Sequence, residues 1–331
     1  MNPYHSYIRT TTGDIAPSDL GFCHGHEHTY LRPGPSCQVN SALRLDDIER
    51  SSLELKSFYV AGGRAVTDCQ PIGIERSPSV MRQLSQASEV KIIAATGFHR
   101  PCFYPEGHFL HTESVETLAQ RVIDEIQTGM WDYDGYGIQQ GAVQLSDGSQ
   151  TDIRAGLIKF TSEYHFLPEL SRKAAEAACI AHEETHAPII THTELGTFGL
   201  EQVDFAAAHG VKPQSLVLSH LDRNPDRFLH RDILQTGAYV VYDGPGRTKY
   251  WPDSVLVDLI VEMVHQGFEK QILLGLDMAP RTMWTQYGGG PGLNYLLNVF
   301  LKKLRQAELT EAQINLFTVE NPANAFAFRL Q

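Results

Sequence analysis

The chain carries the sequence QILLGLD at residues 271–277, an almost continuous apolar run that ends in a carboxylate. Residues 215–220, SLVLSH, repeat this pattern and end in a histidine. Short, uniformly apolar runs are typical of strands that are covered on both faces, as in a parallel sheet. Eight runs of this kind occur along the chain, at residues 20–23, 65–69, 91–95, 156–160, 188–191, 215–219, 238–242 and 271–276.

Segments of helical length and periodicity separate these runs. The clearest is 168–186, rich in Ala and Glu, and others are 45–61, 114–128, 253–266 and 292–306. Strands that alternate with helices predict an α/β fold, and eight repeats predict a closed TIM (β/α)8 barrel. A doubly wound open sheet is the alternative, but it requires a Gly-rich phosphate turn after an early strand, and the sequence has none.

No Pro-, Gly- or Ser-rich linker divides the sequence. Residues 1–331 are therefore predicted to form a single domain, in which 131–150 is a surface loop or hairpin before the fourth strand. The net charge argues against two kinds of partner. A chain with a net charge of −12 lacks the basic balance expected of a protein that binds nucleic acid or an anionic membrane surface.

The sequence has no apolar stretch of membrane-spanning length, and its N-terminus lacks the apolar middle of a signal peptide. The five cysteines are scattered and show neither a disulfide framework nor a CxxC pattern. We therefore expect a reduced, cytoplasmic protein in which Cys23, Cys69 and Cys179 are core residues.

Residues suited to metal binding stand at the carboxyl ends of five predicted strands, where barrel enzymes place their active sites. A single histidine, lysine or aspartate in such a position is usually a core group, a solvated loop residue or a turn cap. Together, however, they are the residue types of a buried two-metal hydrolytic centre. They are His26, His28, Lys159, His192, His220 and Asp277.

His24 leaves the assignment at the first strand open. It alternates with His26 and His28, so an extended strand would place all three on one face. At a rise of ~3.3 Å per residue, His24 and His28 would lie about 13 Å apart, too far for one ion. Spacing alone does not choose between the pairs 24/26 and 26/28.

Motifs in order along the chain resemble those of the phosphotriesterase family within the amidohydrolase superfamily. They are GHEH at 25–28, AGLIK at 155–159, THT at 191–193, LSH at 218–220, LGLD at 274–277 and the closing segment ENPANAF at 320–326. The resemblance implies that the metal pair is His26 and His28. His24 would then be a packed, hydrogen-bonded neighbour one layer deeper on the same face.

The resemblance also implies two divalent ions, usually zinc, with manganese, cobalt or iron as alternatives. Lys159 matches the position of an N6-carboxylated lysine that bridges both ions. A lysine beside a buried cationic site is shifted towards its neutral amine, which can add carbon dioxide. His26, His28 and Asp277 would complete one site, and His192 and His220 the other.

The expected reaction is ester hydrolysis by a hydroxide shared between the two ions, because such a water has a pKa of roughly 7. Asp277 is the predicted general base. Asp222, two residues after His220, is predicted to accept a proton from Asp277 or to orient a ligand histidine, with a simple loop cap as an equal alternative.

The loops after the last two strands carry the predicted substrate site. Lys249 and Arg281 could bind a phosphate there, with Tyr287 or Trp284 closing the pocket, and His99 is a further candidate after the third strand. As ordinary loop cations, Lys249 and Arg281 would have no such role. This arrangement resembles the branch of the family that opens phosphorylated sugar lactones.

The predicted substrate is therefore a phosphorylated sugar lactone. The alternatives are phosphotriester (organophosphate) or acyl-homoserine-lactone hydrolysis, and, in another class, a non-catalytic metal-dependent binding protein. A mononuclear deaminase of the same superfamily would lack the lysine at 159. A homodimer is the expected assembly.

Overall fold

The computed structural model describes residues 6–132, 136–139, 142–145 and 149–329. Eight parallel strands pair in chain order. They are β1 Cys23–Glu27, β2 Ala65–Asp68, β3 Lys91–Gly97, β4 Leu157–Thr161, β5 Ile189–His192, β6 Leu216–Ser219, β7 Tyr239–Tyr242 and β8 Ile272–Leu274. The last strand returns to the first, because the backbone N–H of Asp277 donates to the carbonyl of His26 at 3.1 Å. The predicted (β/α)8 barrel is confirmed.

Helices alternate with the strands. The described α-helices are Pro35–Val39, Ile48–Val60, Pro78–Ser88, Phe109–Thr112, Val115–Gln127, Glu169–Thr185, Gly199–Ala208, Arg227–Gln235, Asp253–His265, Leu301–Gln306, Glu311–Asn315 and Asn321–Ala325. Side chains of Asp47, Ser77 and Ser114 cap the N-termini of the helices that follow them. Four of the five predicted helices match closely. The one predicted at 292–306 instead begins as a short π-helix, Leu296–Phe300, that continues into the α-helix Leu301–Gln306.

The predicted hairpin before the fourth strand is also present. Tyr136–Gln139 pairs antiparallel with Ala142–Leu145. Residues 133–135, 140–141 and 146–148 of that prediction lie outside the described residues.

The barrel has an interior core and an outer core. Interior residues include Ile93, Leu157 and Val217, together with Cys23 and Cys69. The N-terminal strand Ser6–Thr10 contributes Ile8 to this interior core and pairs with Gly13–Ile15 and Phe328–Arg329. Cys179 is buried in the outer core between strands and helices, so all three cysteines predicted to be core residues are confirmed.

The first strand differs from the prediction in position and in register. It spans Cys23–Glu27 rather than 20–23, and its register with β2 shifts between His24 and Glu27. Such a bulge changes which side chains face inward. Gly25 faces the interior, where a Cβ would lie 3.1 Å from Val241, whereas the His24 ring packs 4.5 Å from Phe58 of the outer layer. The expectation that His24 shares a face with His26 and His28 is therefore wrong.

Among the described helices, none is both long and apolar enough to cross a membrane.

Candidate metal centre

The six predicted metal ligands line one cavity of about 230 Å³ at the carboxyl ends of the strands. His28 Nε2 lies 3.3 Å from Asp277 Oδ1, and His26 Nε2 lies 3.7 Å from the same oxygen. The His220 ring centroid is 4.6 Å from that of His26 and 4.5 Å from that of His192. The structure thus brings together side chains that are as many as 251 positions apart (277 − 26).

In the part of the chain that the structure describes, two groups of three side chains could each hold a metal ion, because their nitrogen and oxygen atoms lie within 4.8 Å of one another. One is His26, His28 and Asp277, and the other is His26, His220 and Asp243. Asp243 was missed by the sequence reasoning, although it directly follows the apolar run at 238–242, as Asp277 follows its own run.

Each of the four predicted ligand histidines has one ring nitrogen held by a neighbour. His28 Nδ1 donates to Gln70 Oε1 at 2.6 Å, His220 Nδ1 to Asp243 Oδ1 at 2.8 Å and His192 Nε2 to Glu194 Oε2 at 2.8 Å, while His26 Nδ1 hydrogen-bonds Ser219 Oγ at 2.8 Å. This arrangement is typical of metal-ligating histidines, because the held nitrogen fixes the tautomer and leaves the other for the ion.

The buried His26 Nε2 provides the test of fit. It has no hydrogen-bond partner among the described residues, and it lies 3.7 Å from Asp277 Oδ1. Burial lowers the pKa of His26 and of His192 to about 4. Both rings are therefore neutral at neutral pH, as ligation requires. The donor set fits a divalent ion.

Lys159 is fully buried in the middle of β4, two residues before that strand ends, rather than at the strand end expected from the sequence, and its Nζ donates to the Cys69 carbonyl at 2.9 Å. Burial lowers the pKa of its ammonium, although nearby carboxylates oppose the shift. Gly97 permits this arrangement. It has a φ of +85°, and a Cβ there would collide with the backbone of Lys159.

Asp243, rather than Asp222, contacts two of the predicted ligand histidines, His220 and His26. Besides His220 Nδ1, Asp243 lies 3.3 Å from His26 Nδ1. Burial would raise the pKa of Asp243, but His220 and His26 hold it well below its usual range. Asp222 accepts a hydrogen bond from the Gly244 N–H at 2.6 Å, and burial and the Asp243 carboxylate raise its pKa to about 8. A proton-accepting role for Asp222 stays a prediction.

Cations gather beside Asp277. Arg223 Nη2 donates to Asp277 Oδ2 at 2.6 Å, and Arg247 Nη1 donates to the same oxygen. Burial would raise the pKa of Asp277, but Arg247 and other neighbours hold it well below its usual range. Arg223, Arg247 and Lys249 also surround the Tyr250 ring, at 4.9, 5.7 and 4.6 Å from its centroid.

Two of the predicted substrate residues lie at the cavity, and three do not line it. Lys249 and His99 are in its wall, and the His99 ring is 5.1 Å from that of His192. Trp284 is fully buried and its indole donates to the Met278 carbonyl at 2.6 Å. Arg281 and Tyr287 line a separate surface depression, with the Arg281 guanidinium 5.7 Å from the Tyr287 ring centroid.

The loop after β8 explains this difference, because it folds back onto the helix Ile48–Val60. The carboxylate of Glu54 accepts hydrogen bonds from the N–H groups of Gln286, at 2.9 Å, and Leu293, at 3.0 Å. The Tyr287 hydroxyl donates to the Asp47 carbonyl at 2.8 Å.

A parallel barrel with neutral histidines, a buried lysine and an ionised aspartate at its carboxyl end defines a candidate metal-dependent hydrolase. A profile of the phosphotriesterase family matches residues 6–326. A phospho-furanose lactonase of Mycoplasmopsis synoviae is 31% identical over 98% of this chain and 92% of its own length.

Solved structures agree. A lactonase from Listeria monocytogenes superposes with a TM-score of 0.87 and 30% identity, covering 98% of this chain and 100% of its own. The phosphotriesterase homology protein of Escherichia coli, solved with phosphate in its active site, has a TM-score of 0.82 and 28% identity, covering 93% of this chain and 99% of its own. The chain belongs to the phosphotriesterase family, whose members are hydrolases dependent on two metal ions.

Proposed function

We propose that this protein is a metal-dependent lactonase whose substrate is a phosphorylated sugar lactone. The observation that carries the proposal is the composition of one cavity: the metal-ligand cluster and three cations around Tyr250 share it, and two of those cations touch Asp277. The name of the Mycoplasmopsis synoviae relative and the phosphate in the Escherichia coli structure support the same substrate class.

His26, His28 and Asp277 would hold one ion, and His192 and His220 the other, with Lys159 as an N6-carboxylated bridge. Nitrogen and oxygen donors favour zinc, with manganese, cobalt or iron as alternatives. Such a pair, when bound, lowers the pKa of a shared water to roughly 7 and polarises a carbonyl oxygen. The buried, neutral-leaning amine of Lys159 supports its carboxylation.

Asp277 provides the proton transfer. Arg223 and Arg247 hold its Oδ2, so Oδ1, which faces His28 and the proposed ion, is the oxygen that would take the proton of the attacking water. As the water oxygen bonds to the lactone carbonyl carbon, the ring C–O bond breaks. The proton then passes to the departing ring oxygen, which gives a hydroxy acid.

The cation corner of Arg223, Arg247, Lys249 and Tyr250 provides phosphate recognition. Both arginines and Lys249 line the cavity, and the buried Nε atoms of the two arginines have no hydrogen-bond partner among the described residues. Arginine and lysine are the side chains that bind phosphate oxygens most strongly. At about 230 Å³ the cavity fits a small sugar lactone better than a long acyl chain.

The test is a panel of sugar lactones, each with and without phosphate, on zinc-reconstituted enzyme. We expect the phosphorylated member of at least one pair to have a kcat/KM roughly 100-fold higher, since one charged hydrogen bond contributes roughly 1.5–3 kcal/mol. Lys249→Ala should raise KM for phosphorylated lactones only. Lys212→Ala, an exposed lysine near the amino ends of the strands, is the control.

Arg281→Ala, measured in the same series, tests the wider phosphate site predicted from the sequence. If the phosphorylated and unphosphorylated members of every pair had equal kcat/KM, the proposal that the substrate carries a phosphate would be wrong. A Lys249→Ala effect that is the same on both members would remove Lys249 from its recognition. We also propose a homodimer, a single domain and a cytoplasmic location; sedimentation velocity tests the first.

A further inference from the structure

The turn after β5 has an unusual backbone. His192 ends the strand, and the short helical turn Glu194–Gly196 follows. Leu195 has a φ of +51°, a left-handed conformation unfavourable for leucine. Gly196 is also left-handed, and a Cβ there would lie 2.7 Å from the backbone N of Asn224. Such strain persists only where the surrounding structure imposes it.

This turn directs the Glu194 side chain back towards the strand end. Glu194 Oε2 accepts from His192 Nε2 at 2.8 Å and from Arg100 Nη1 at 2.7 Å. Arg100 also holds Glu163 with two further hydrogen bonds, one of them from Nε at 2.9 Å. Arg100, Glu163 and Glu194 are 24, 17 and 19% exposed, so one partly buried guanidinium joins the loops after β3, β4 and β5.

The contact has a chemical consequence for His192. A carboxylate only accepts hydrogen bonds, so His192 Nε2 carries the hydrogen and Nδ1 has the free lone pair. The backbone of His192 is held as well, because its carbonyl accepts from Gln202 Nε2 at 2.9 Å. Among the described residues, Glu194 is the carboxylate in contact with the His192 ring, whereas Asp243 is in contact with the His220 ring.

We infer that Glu194 is a positioning residue that fixes the tautomer of His192 and increases its basicity as a ligand, and that Arg100 holds Glu194 in place. The inference rests on the proposed function, in which His192 binds one of two ions. It assigns Arg100 to the structural link between Glu163 and Glu194.

The test compares full-length wild type, Glu194→Gln and Glu163→Gln. Glu163→Gln is the matched control, because Glu163 binds the same arginine but does not contact the histidine. Zinc affinity is measured by chelator competition without substrate. We expect Glu194→Gln to weaken one of the two zinc sites about 10- to 100-fold, and Glu163→Gln to weaken it less than about 3-fold.

A second measurement applies to the metal-free protein. Nitrogen-15 NMR of labelled histidines, with His192 identified by its loss in His192→Asn, should show the Nε2–H tautomer in wild type and a mixture in Glu194→Gln. Equal zinc affinities for the two glutamine variants, or an unchanged tautomer, would overturn the inference. Absence of zinc binding by wild type would instead defeat the proposed function, and the tautomer would still report on Glu194.

Discussion

Asp243→Asn removes a carboxylate that contacts two histidines, His220 and His26. Asp243 Oδ1 accepts from His220 Nδ1 at 2.8 Å, and Oδ2 lies 3.3 Å from His26 Nδ1. The amide of asparagine has one acceptor, so its NH₂ group would face the other ring. The Nδ1 atom of that ring must then accept a hydrogen bond. The ring would carry its hydrogen on Nε2, the nitrogen that binds the ion in the proposed function.

The magnitude follows from the lost interaction. A hydrogen bond to a charged group contributes roughly 1.5–3 kcal/mol. At about 1.4 kcal/mol per factor of ten, we expect Asp243→Asn to weaken metal binding about 10- to 100-fold. Competition with a coloured zinc chelator measures this, and far-ultraviolet circular dichroism checks that the fold is retained.

Asp222→Asn is the matched control. Asp222 is equally buried, but its hydrogen bond is with the Gly244 backbone, and burial and the Asp243 carboxylate raise its pKa above the usual range of an aspartate. We expect its zinc affinity to stay within about 3-fold of wild type. Wild-type affinity in Asp243→Asn, or an equal loss in Asp222→Asn, would refute the reasoning.

Three further predictions concern the general base Asp277, the backbone at Gly97 and the stability of the protein in acid. Asp277→Asn should keep the fold but lose on the order of 10²-fold or more in kcat on the metal-loaded enzyme; normal turnover in steady-state assays would show that Asp277 is not the base. Gly97→Ala, which forces a Cβ into the Lys159 backbone, should lower the free energy of unfolding in urea by roughly 1–3 kcal/mol more than Gly267→Ala, which has a similar φ of +87° and open space; equal losses would mean that the close approach does not matter. Burial lowers the pKa of His192 to about 4, so the stability that this neutral ring contributes to the metal-free protein is full above pH 6.5 and is lost as the pH falls towards 4, by roughly 2–3 kcal/mol at pH 4.5. Urea unfolding at pH 7.5 and 4.5 should therefore show a smaller difference for His192→Asn than for wild type, and an identical difference would contradict the shift.

The sequence was sufficient where one local rule governs the structure. An apolar run with a side chain suited to metal binding near or just after its end predicted Lys159, His220 and Asp277 at the mouth of a barrel, and all three line the cavity. The same rule applied to the run at 238–242 would have found Asp243. The prediction of the first strand was wrong because the residues of that strand are polar and its bulge depends on pairing with β2.

The substrate loops could not be derived in the same way, because their positions depend on tertiary contacts. Glu54, on a helix more than 200 positions earlier in the chain, accepts hydrogen bonds from the loop after β8, where Trp284 is buried. Arg223 and Tyr250 come from different loops and meet only in the folded barrel. Neither their proximity nor the Arg100–Glu194 contact has a signature in the spacing of the sequence.

Diffraction at the zinc absorption edge, from crystals of active protein grown with zinc and bicarbonate, examines the metal centre itself. We expect two anomalous peaks among His26, His28, His192, His220 and Asp277, with density for a carboxylated Lys159 between them. A free ammonium on Lys159 still bonded to the Cys69 carbonyl, with one ion or none in a protein of full activity, would contradict a two-metal mechanism.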